Sequence, residues 1–220
     1  MSERKKVVVS FDLDFTLINN KKGIVNSFNY ALGKFGLPEV DKTIIQNMIG
    51  IPLNDMFTRF TEKDPSRLSF AFREYYATKG IYESKLLSGV MNKLKQLKLH
   101  NFTLGIITSK KQSIAVKIAR YLKIDGFFDY ILGETEFIRS KLDSNLIQFL
   151  SEKYPRSTII IVGDHPKDAL LAKSLDCPFI GVLSGFHTAY QLIHARENEI
   201  QTLIVKNVKK ITIDMIYSMV

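Results

Sequence analysis

The hydrophobic pattern opens with a short apolar run, Val7-Val8-Val9-Ser10-Phe11, which ends in acid at Asp12-Leu13-Asp14. A β-rich run of that length, bounded by polar residues, reads as a buried strand. After residue 100 strand-like and helix-like patterns alternate. Residues 101–108 read as a strand, and 111–122 as a helix with Ile114, Ala115, Ile118 and Leu122 at helical spacing. A short strand at 130–132 precedes a helix at 142–154, with Lys141 at its start after Ser140. A strongly β-branched strand at 158–163 precedes a helix at 166–175 with Pro166 in its first turn. Further strands are predicted at 177–183 and 202–205, and a closing helix at 209–219. This alternation predicts an α/β fold, a Rossmann-like three-layer core with a parallel sheet and crossover helices.

From about residue 24 to 98 the pattern is helical, punctuated at Gly36-Leu37-Pro38, Gly50-Ile51-Pro52 and Asp64-Pro65. A helical insertion is thus expected to interrupt the α/β core. The predicted division is 1–18 with 86–220 for the core and 19–85 for a small all-helical cap. Its place directly after an acidic strand end suits a lid.

Carboxylates at a strand end are costly to bury unless something pairs with them. Alternate residues on a strand face the same way, so Asp12 and Asp14 are expected to converge, and a divalent cation with a phosphate would explain that convergence. Other polar residues stand at further strand ends, where open parallel sheets place their ligands. Thr108 and Ser109 follow one strand. Asp164 follows another, and Asp168 lies one helical turn beyond it.

Composition narrows the classes. At 45% hydrophobic and 24% charged, 220 residues are enough for a core and a smaller subdomain, which excludes disorder as the main state. No apolar run approaches the ~20 residues that span a bilayer, and the basic start at residues 1–6 precedes too short an apolar stretch for a signal peptide. A cytoplasmic protein with no membrane partner is expected. Cys177 is the sole cysteine, which excludes intrachain disulfides and cysteine-cluster metal sites; it reads as a small buried hydrophobe. The net charge of +9 attracts anions. The bases are scattered, as at Lys93, Lys95, Lys98, Lys110, Lys111, Lys117 and Arg120, so they read as solvated helix faces, and nucleic acid is not expected as a partner.

Taken in order, Asp12-Leu13-Asp14-Phe15-Thr16, Thr108, Lys141 and Gly163-Asp164-His165-Pro166-Lys167-Asp168 resemble the four motifs of the haloacid dehalogenase superfamily, in its phosphatase branch. The resemblance implies Asp12 as a nucleophile forming an aspartyl-phosphate and Asp14 as the acid that protonates the leaving group and then activates water. It implies Mg2+ held by Asp12, Asp14 (through its backbone carbonyl) and Asp164. Thr108 and Ser109 would bind phosphoryl oxygens, and Lys141 would neutralise charge, oriented by Asp168, with Thr16 in support. Asp14 separates the chain from the dehalogenases, whose halide leaving group needs no acid. Phe15 stands where relatives usually carry Gly. His165 reads as a helix N-terminal residue facing solvent.

Gly50-Ile51-Pro52-Leu53 and Leu87-Ser88-Gly89-Val90 resemble turns of the phosphoglycolate phosphatase group, with Ser88 in place of a usual Pro. The resemblance implies a small-molecule phosphate ester as substrate, with Arg59, Arg67 and Arg73 as cap cations that could read a second anionic group. Inorganic pyrophosphatase and β-phosphoglucomutase-like phosphotransfer are alternatives within the superfamily, and a non-catalytic binding protein is an alternative of another class. A monomer or homodimer is expected.

Overall fold

In the computed structural model, which describes residues 6–195 and 201–220, the chain opens with β1 (Val7–Phe11) and a two-residue strand β2 (Ile18–Asn19). Four helices follow: α1 (Lys21–Lys34), α2 (Lys42–Asn47), α3 (Leu53–Phe57) and α4 (Pro65–Thr78). Then come the short β3 (Lys85–Leu86), α5 (Val90–Leu99), β4 (Thr103–Lys111), α6 (Gln112–Tyr121) and β5 (Tyr130–Glu134). The rest is α7 (Ser144–Lys153), β6 (Thr158–Gly163), α8 (Pro166–Ser174), β7 (Phe179–Val182), α9 (Ala189–His194), β8 (Thr202–Val205) and α10 (Ile213–Tyr217). The chain divides into two units, Met1–Ile18 with Leu86–Val220, and Asn19–Lys85.

The larger unit is built on a six-stranded sheet in the order β5-β4-β1-β6-β7-β8, with every pairing parallel. The chain winds outward on one side of β1 through β4 and β5, then returns to the other side through β6, β7 and β8. That reversal makes the β1/β6 boundary the topological switch point, where the crevice beyond the carboxyl ends of the strands receives ligands. β1 is buried along its whole length, with a paired strand on each side and both of its faces covered. One close approach locks β4 to its neighbours: a Cβ on Gly105 would stand 2.1 Å from the Tyr130 ring. The bare glycine lets Tyr130 lie across the sheet to meet Ser10 Oγ at 2.5 Å through its hydroxyl. Cys177 is buried in this core, as its apolar surroundings in sequence imply.

The helical unit has its own core, in which Phe28 stacks on Phe57 at 4.3 Å and meets Phe60 edge-on at 5.8 Å. Its boundaries follow local chemistry. Asp41 accepts from Thr43 N at the start of α2, and Asp64 from Ser66 N at the start of α4, ahead of Pro65.

Three sequence expectations are corrected. The strand after residue 100 does not end at Thr108 but runs to Lys111, through a register irregularity between Ile107 and Lys111. Lys141 does not begin a helix; it sits in a turn, and the Asp143 carboxylate caps α7 two residues later by accepting from Asn145 N at 3.0 Å. The closing helix is interrupted: a 3₁₀ turn at Val208–Lys210 comes first, then Thr212 caps the short α10. The unforeseen α9 opens with a reciprocal cap between Thr188 and Gln191, the S/T-x-x-Q signature of a helix start. Among the described residues no helix is long and apolar enough to cross a membrane.

Candidate active site

Two strand ends at the switch point supply the first carboxylates. The Asp12 amide donates to Val162 O at 2.8 Å, extending the β1–β6 ladder by one residue and fixing where Asp12 leaves the sheet. Asp164 follows β6 directly, and Asp168 sits in the first turn of α8. One oxygen from each of Asp12, Asp164 and Asp168 lies within 4.8 Å of the others, and all three residues are buried. The turn before α7 delivers Lys141, whose Nζ is 2.6 Å from Asp12 Oδ1 and 2.6 Å from Asp168 Oδ1.

The Asp168 carboxylate is occupied on both sides, since its Oδ2 accepts from the His165 amide at 3.1 Å. It holds Lys141 in place. Asp164 is steadied by Thr16, whose hydroxyl donates to its Oδ1 at 2.7 Å, and by the bare backbone of Gly185, where a Cβ would stand 1.9 Å from Asp164 Oδ2.

Three buried carboxylates face one ammonium. Two like charges at this separation repel by about 3 kcal/mol at an effective dielectric constant near 20, so an unbalanced pair is expensive. Burial is the largest influence on both Asp164 and Asp12: it pushes Asp164 up to about 8, with Asp12 and Asp168 adding to the rise, and Asp12 up to about 7 against the opposing pull of Lys141. Burial works to lower Lys141, but Asp12 and Asp168 together outweigh it and hold the ammonium well above its ordinary value. Buried hard oxygens that resist ionisation on their own fit a hard divalent cation as the missing positive charge.

Asp14 is placed differently from the strand-spacing expectation. β1 ends at Phe11, so the alternation of faces stops before Asp14, and its carboxylate is 2.8 Å from Lys110 Nζ rather than within the buried cluster. It is still close enough to raise the affinity of Asp12 for a proton. The loop that carries it closes on itself: Phe15 N donates to Ile18 O at 2.8 Å, while Leu17 N and Ile18 N both donate to Leu13 O at 3.0 Å. Phe15 takes a left-handed φ of 57°, the conformation for which glycine is the cheaper choice. Its ring is buried edge-on against Phe186 at 4.9 Å, and its carbonyl accepts from Ser184 Oγ at 2.6 Å.

Thr108 is buried within β4, at its register irregularity, and its Oγ1 accepts from Lys110 N at 3.3 Å, which directs the hydroxyl proton elsewhere. Ser109 is exposed. His165 is not a solvent-facing residue. It is half-buried, caps α8 by accepting from Lys167 N at its Nδ1 (3.0 Å), and packs edge-on against His187 at 4.4 Å. Burial foremost, then His187, pulls its imidazole down to about 4, so the ring is neutral and protonated on Nε2. Lys110, counted in the sequence among scattered solvated bases, is half-buried against Asp14. Lys93 is another exception to that reading, buried with its Nζ 2.7 Å from Gln96 Oε1. Arg59, Arg67 and Arg73 are exposed on the helical unit, with the Arg67 guanidinium 5.4 Å from the Phe35 ring centre.

Comparison with known proteins identifies the family. The model of the haloacid dehalogenase-like hydrolase family matches residues 9–182. The chain belongs to that family. It stands among the family's phosphatases. It is 31% identical over 196 residues to a 5'-nucleotidase of Pseudomonas aeruginosa, covering 84% of this chain and 86% of that protein. It is 28% identical to a phosphoglycolate phosphatase of Mannheimia succiniciproducens, covering 82% and 87%. A crystal structure of a putative phosphatase from Clostridium difficile matches with a TM-score of 0.80 at 30% identity, covering 92% of this chain and 95% of that one.

Proposed function

We propose that the protein is a Mg2+-dependent phosphatase that hydrolyses a small-molecule phosphate monoester through an aspartyl-phosphate on Asp12. The observation that carries this reading is the cluster of Asp12, Asp164 and Asp168 around a single lysine at the switch point. Asp12 and Asp164, with the Asp14 backbone carbonyl, would hold the metal, which when bound supplies positive charge for the phosphoryl group and leaves Asp12 ionised.

A carboxylate oxygen of Asp12 attacks phosphorus, forming an O–P bond as the bond to the leaving oxygen breaks. Asp14 gives its proton to that oxygen. In the second step Asp14 takes a proton from water, the water oxygen bonds to phosphorus, and the Asp12–phosphorus linkage breaks to regenerate the carboxylate and free phosphate. Lys141 offsets the charge gathering on Asp12 and the phosphoryl group, while Asp168 keeps it aimed. The Thr108 hydroxyl and the neighbouring amide at Ser109 donate to phosphoryl oxygens. The unit Asn19–Lys85 acts as the cap that selects the leaving group, and Arg59, Arg67 and Arg73 are its candidates for a second anionic group.

Phosphate release from phosphoglycolate, nucleoside monophosphates, sugar phosphates and pyrophosphate, measured with Mg2+ and then with chelator, tests the reading. Turnover of one class that chelator stops and D12N abolishes, with the variant's melting curve preserved, is the expected result. Near-normal turnover by D12N would refute the mechanism. Silence of the wild type across the panel would favour a binding protein.

A further inference from the structure

Lys110 is a cation beside the site that the mechanism above leaves without a task. It lies in the last part of β4, beyond the register irregularity, with its Nζ 2.8 Å from Asp14 Oδ2. Both side chains are largely withdrawn from solvent, at 15% and 25% exposure, so the pair is neither a loose surface bridge nor a fully buried one.

The backbone that carries Lys110 is held from two directions. Its amide donates to the Thr108 hydroxyl. Its carbonyl oxygen is pressed so closely by β5 that a Cβ on Gly133 would stand 2.5 Å from it. The ammonium reaches Asp14 from a backbone held on both sides, and the 2.8 Å contact limits how far the Asp14 carboxylate turns about its broad terminal torsion. A proton passes efficiently only when donor and acceptor are held within hydrogen-bond reach, and a misplacement of about 1 Å costs on the order of a hundredfold.

We propose that Lys110 is a positioning residue for Asp14, fixing the rotation of its carboxylate so that it meets the leaving oxygen and then the attacking water. The inference rests on the proposed phosphatase reading. It differs from a role for Lys110 in binding the substrate's own charge, and the two separate by leaving group. An alkyl phosphate needs a proton on its departing oxygen. p-Nitrophenyl phosphate does not, because its leaving group departs as a stable anion.

The test compares wild type, Lys110→Met and Lys110→Arg on p-nitrophenyl phosphate and on the best alkyl phosphate of the panel, at saturating Mg2+, with melting temperatures alongside. For Lys110→Met the expected result is a fall in kcat for the alkyl ester of about thirtyfold or more, short of the roughly hundredfold or greater contribution of general acid catalysis because Asp14 itself remains. The loss on the aryl ester should be at least about tenfold smaller, with KM little changed and Lys110→Arg recovering part of the alkyl activity. Equal losses on both esters would overturn the inference, as would an effect confined to KM, which would make Lys110 a receptor for substrate charge. Wild-type turnover of neither ester would overturn the phosphatase reading itself, and this inference with it.

Discussion

Stripped of divalent cation, the protein should lose stability as pH rises from 6.5 to 8. The cause lies in Asp164 and Asp12, raised from 3.8 to about 8 and about 7, burial being the larger influence on each. In the unfolded chain both carboxylates are ionised well below pH 6. The folded protein therefore binds more protons than the unfolded one across this window. Stability that is complete near the unfolded value is lost as pH climbs through the folded values.

The histidines do not obscure the window. His165 and His187 are both held below their ordinary value, chiefly by burial, so their effect has the opposite sign: it strengthens the fold as pH rises toward 6.5 and then levels off. Because Asp12 and Asp164 interact, the smaller assumption of one retained proton is the safer basis. One proton gives about 1.4 kcal/mol per pH unit, hence about 2 kcal/mol over this span. For a chain of this length that corresponds to a fall in Tm of roughly 4–8 °C.

Calorimetry in chelator at several pH values reads the slope directly. Saturating Mg2+ should flatten or reverse it, because a cation bound to ionised carboxylates stabilises the folded state more as protons leave. Asp164→Asn should reduce the slope in chelator. A Tm that stays level or rises between pH 6.5 and 8 without metal would refute the claim that the buried carboxylates lack sufficient positive charge.

Phe15 sets a left-handed backbone against a buried ring. Phe15→Gly relieves about 1 kcal/mol of backbone strain but removes packing worth about 3–5 kcal/mol, so it should destabilise by about 2–4 kcal/mol; Phe15→Ala keeps the strain and should be about 1 kcal/mol worse. Denaturant unfolding of both variants decides it, and an alanine variant more stable than the glycine one would contradict the assigned φ. Gly185→Ala should drive a methyl into Asp164 and raise the Mg2+ concentration needed for half-maximal activity by about tenfold or more, in line with the cost of disturbing groups that orient metal ligands. Activation by Mg2+ equal to that of wild type would remove Asp164 from the metal site.

The sheet was legible because burial on both faces leaves uninterrupted apolar runs, and 158–163 is such a run from end to end. Asp12 and Asp164 were legible for the same reason, as acids where those runs stop. Lys141 and Asp168 share an ion pair 27 positions apart, a distance that no local period encodes. Lys110 was hidden further. Ser109-Lys110-Lys111 carries no strand pattern, and β4 continues through it only because Lys111 finds Glu134 on β5 after the irregularity.

Phe15 shows the opposite limit. Glycine at that position would have announced a left-handed turn, and its absence removed the local signal without removing the turn. Three backbone hydrogen bonds close the loop from Leu13 to Ile18, Ser184 ties down the Phe15 carbonyl, and Phe186 covers the ring. Surroundings that over-determine a conformation hold it even for a residue that disfavours it. Asp14, next to Phe15, inherits that rigidity at its backbone, and its carboxylate meets Lys110 at 2.8 Å. The loop fixes where the acid stands, and the lysine fixes how it turns; only the second should be sensitive to the leaving group.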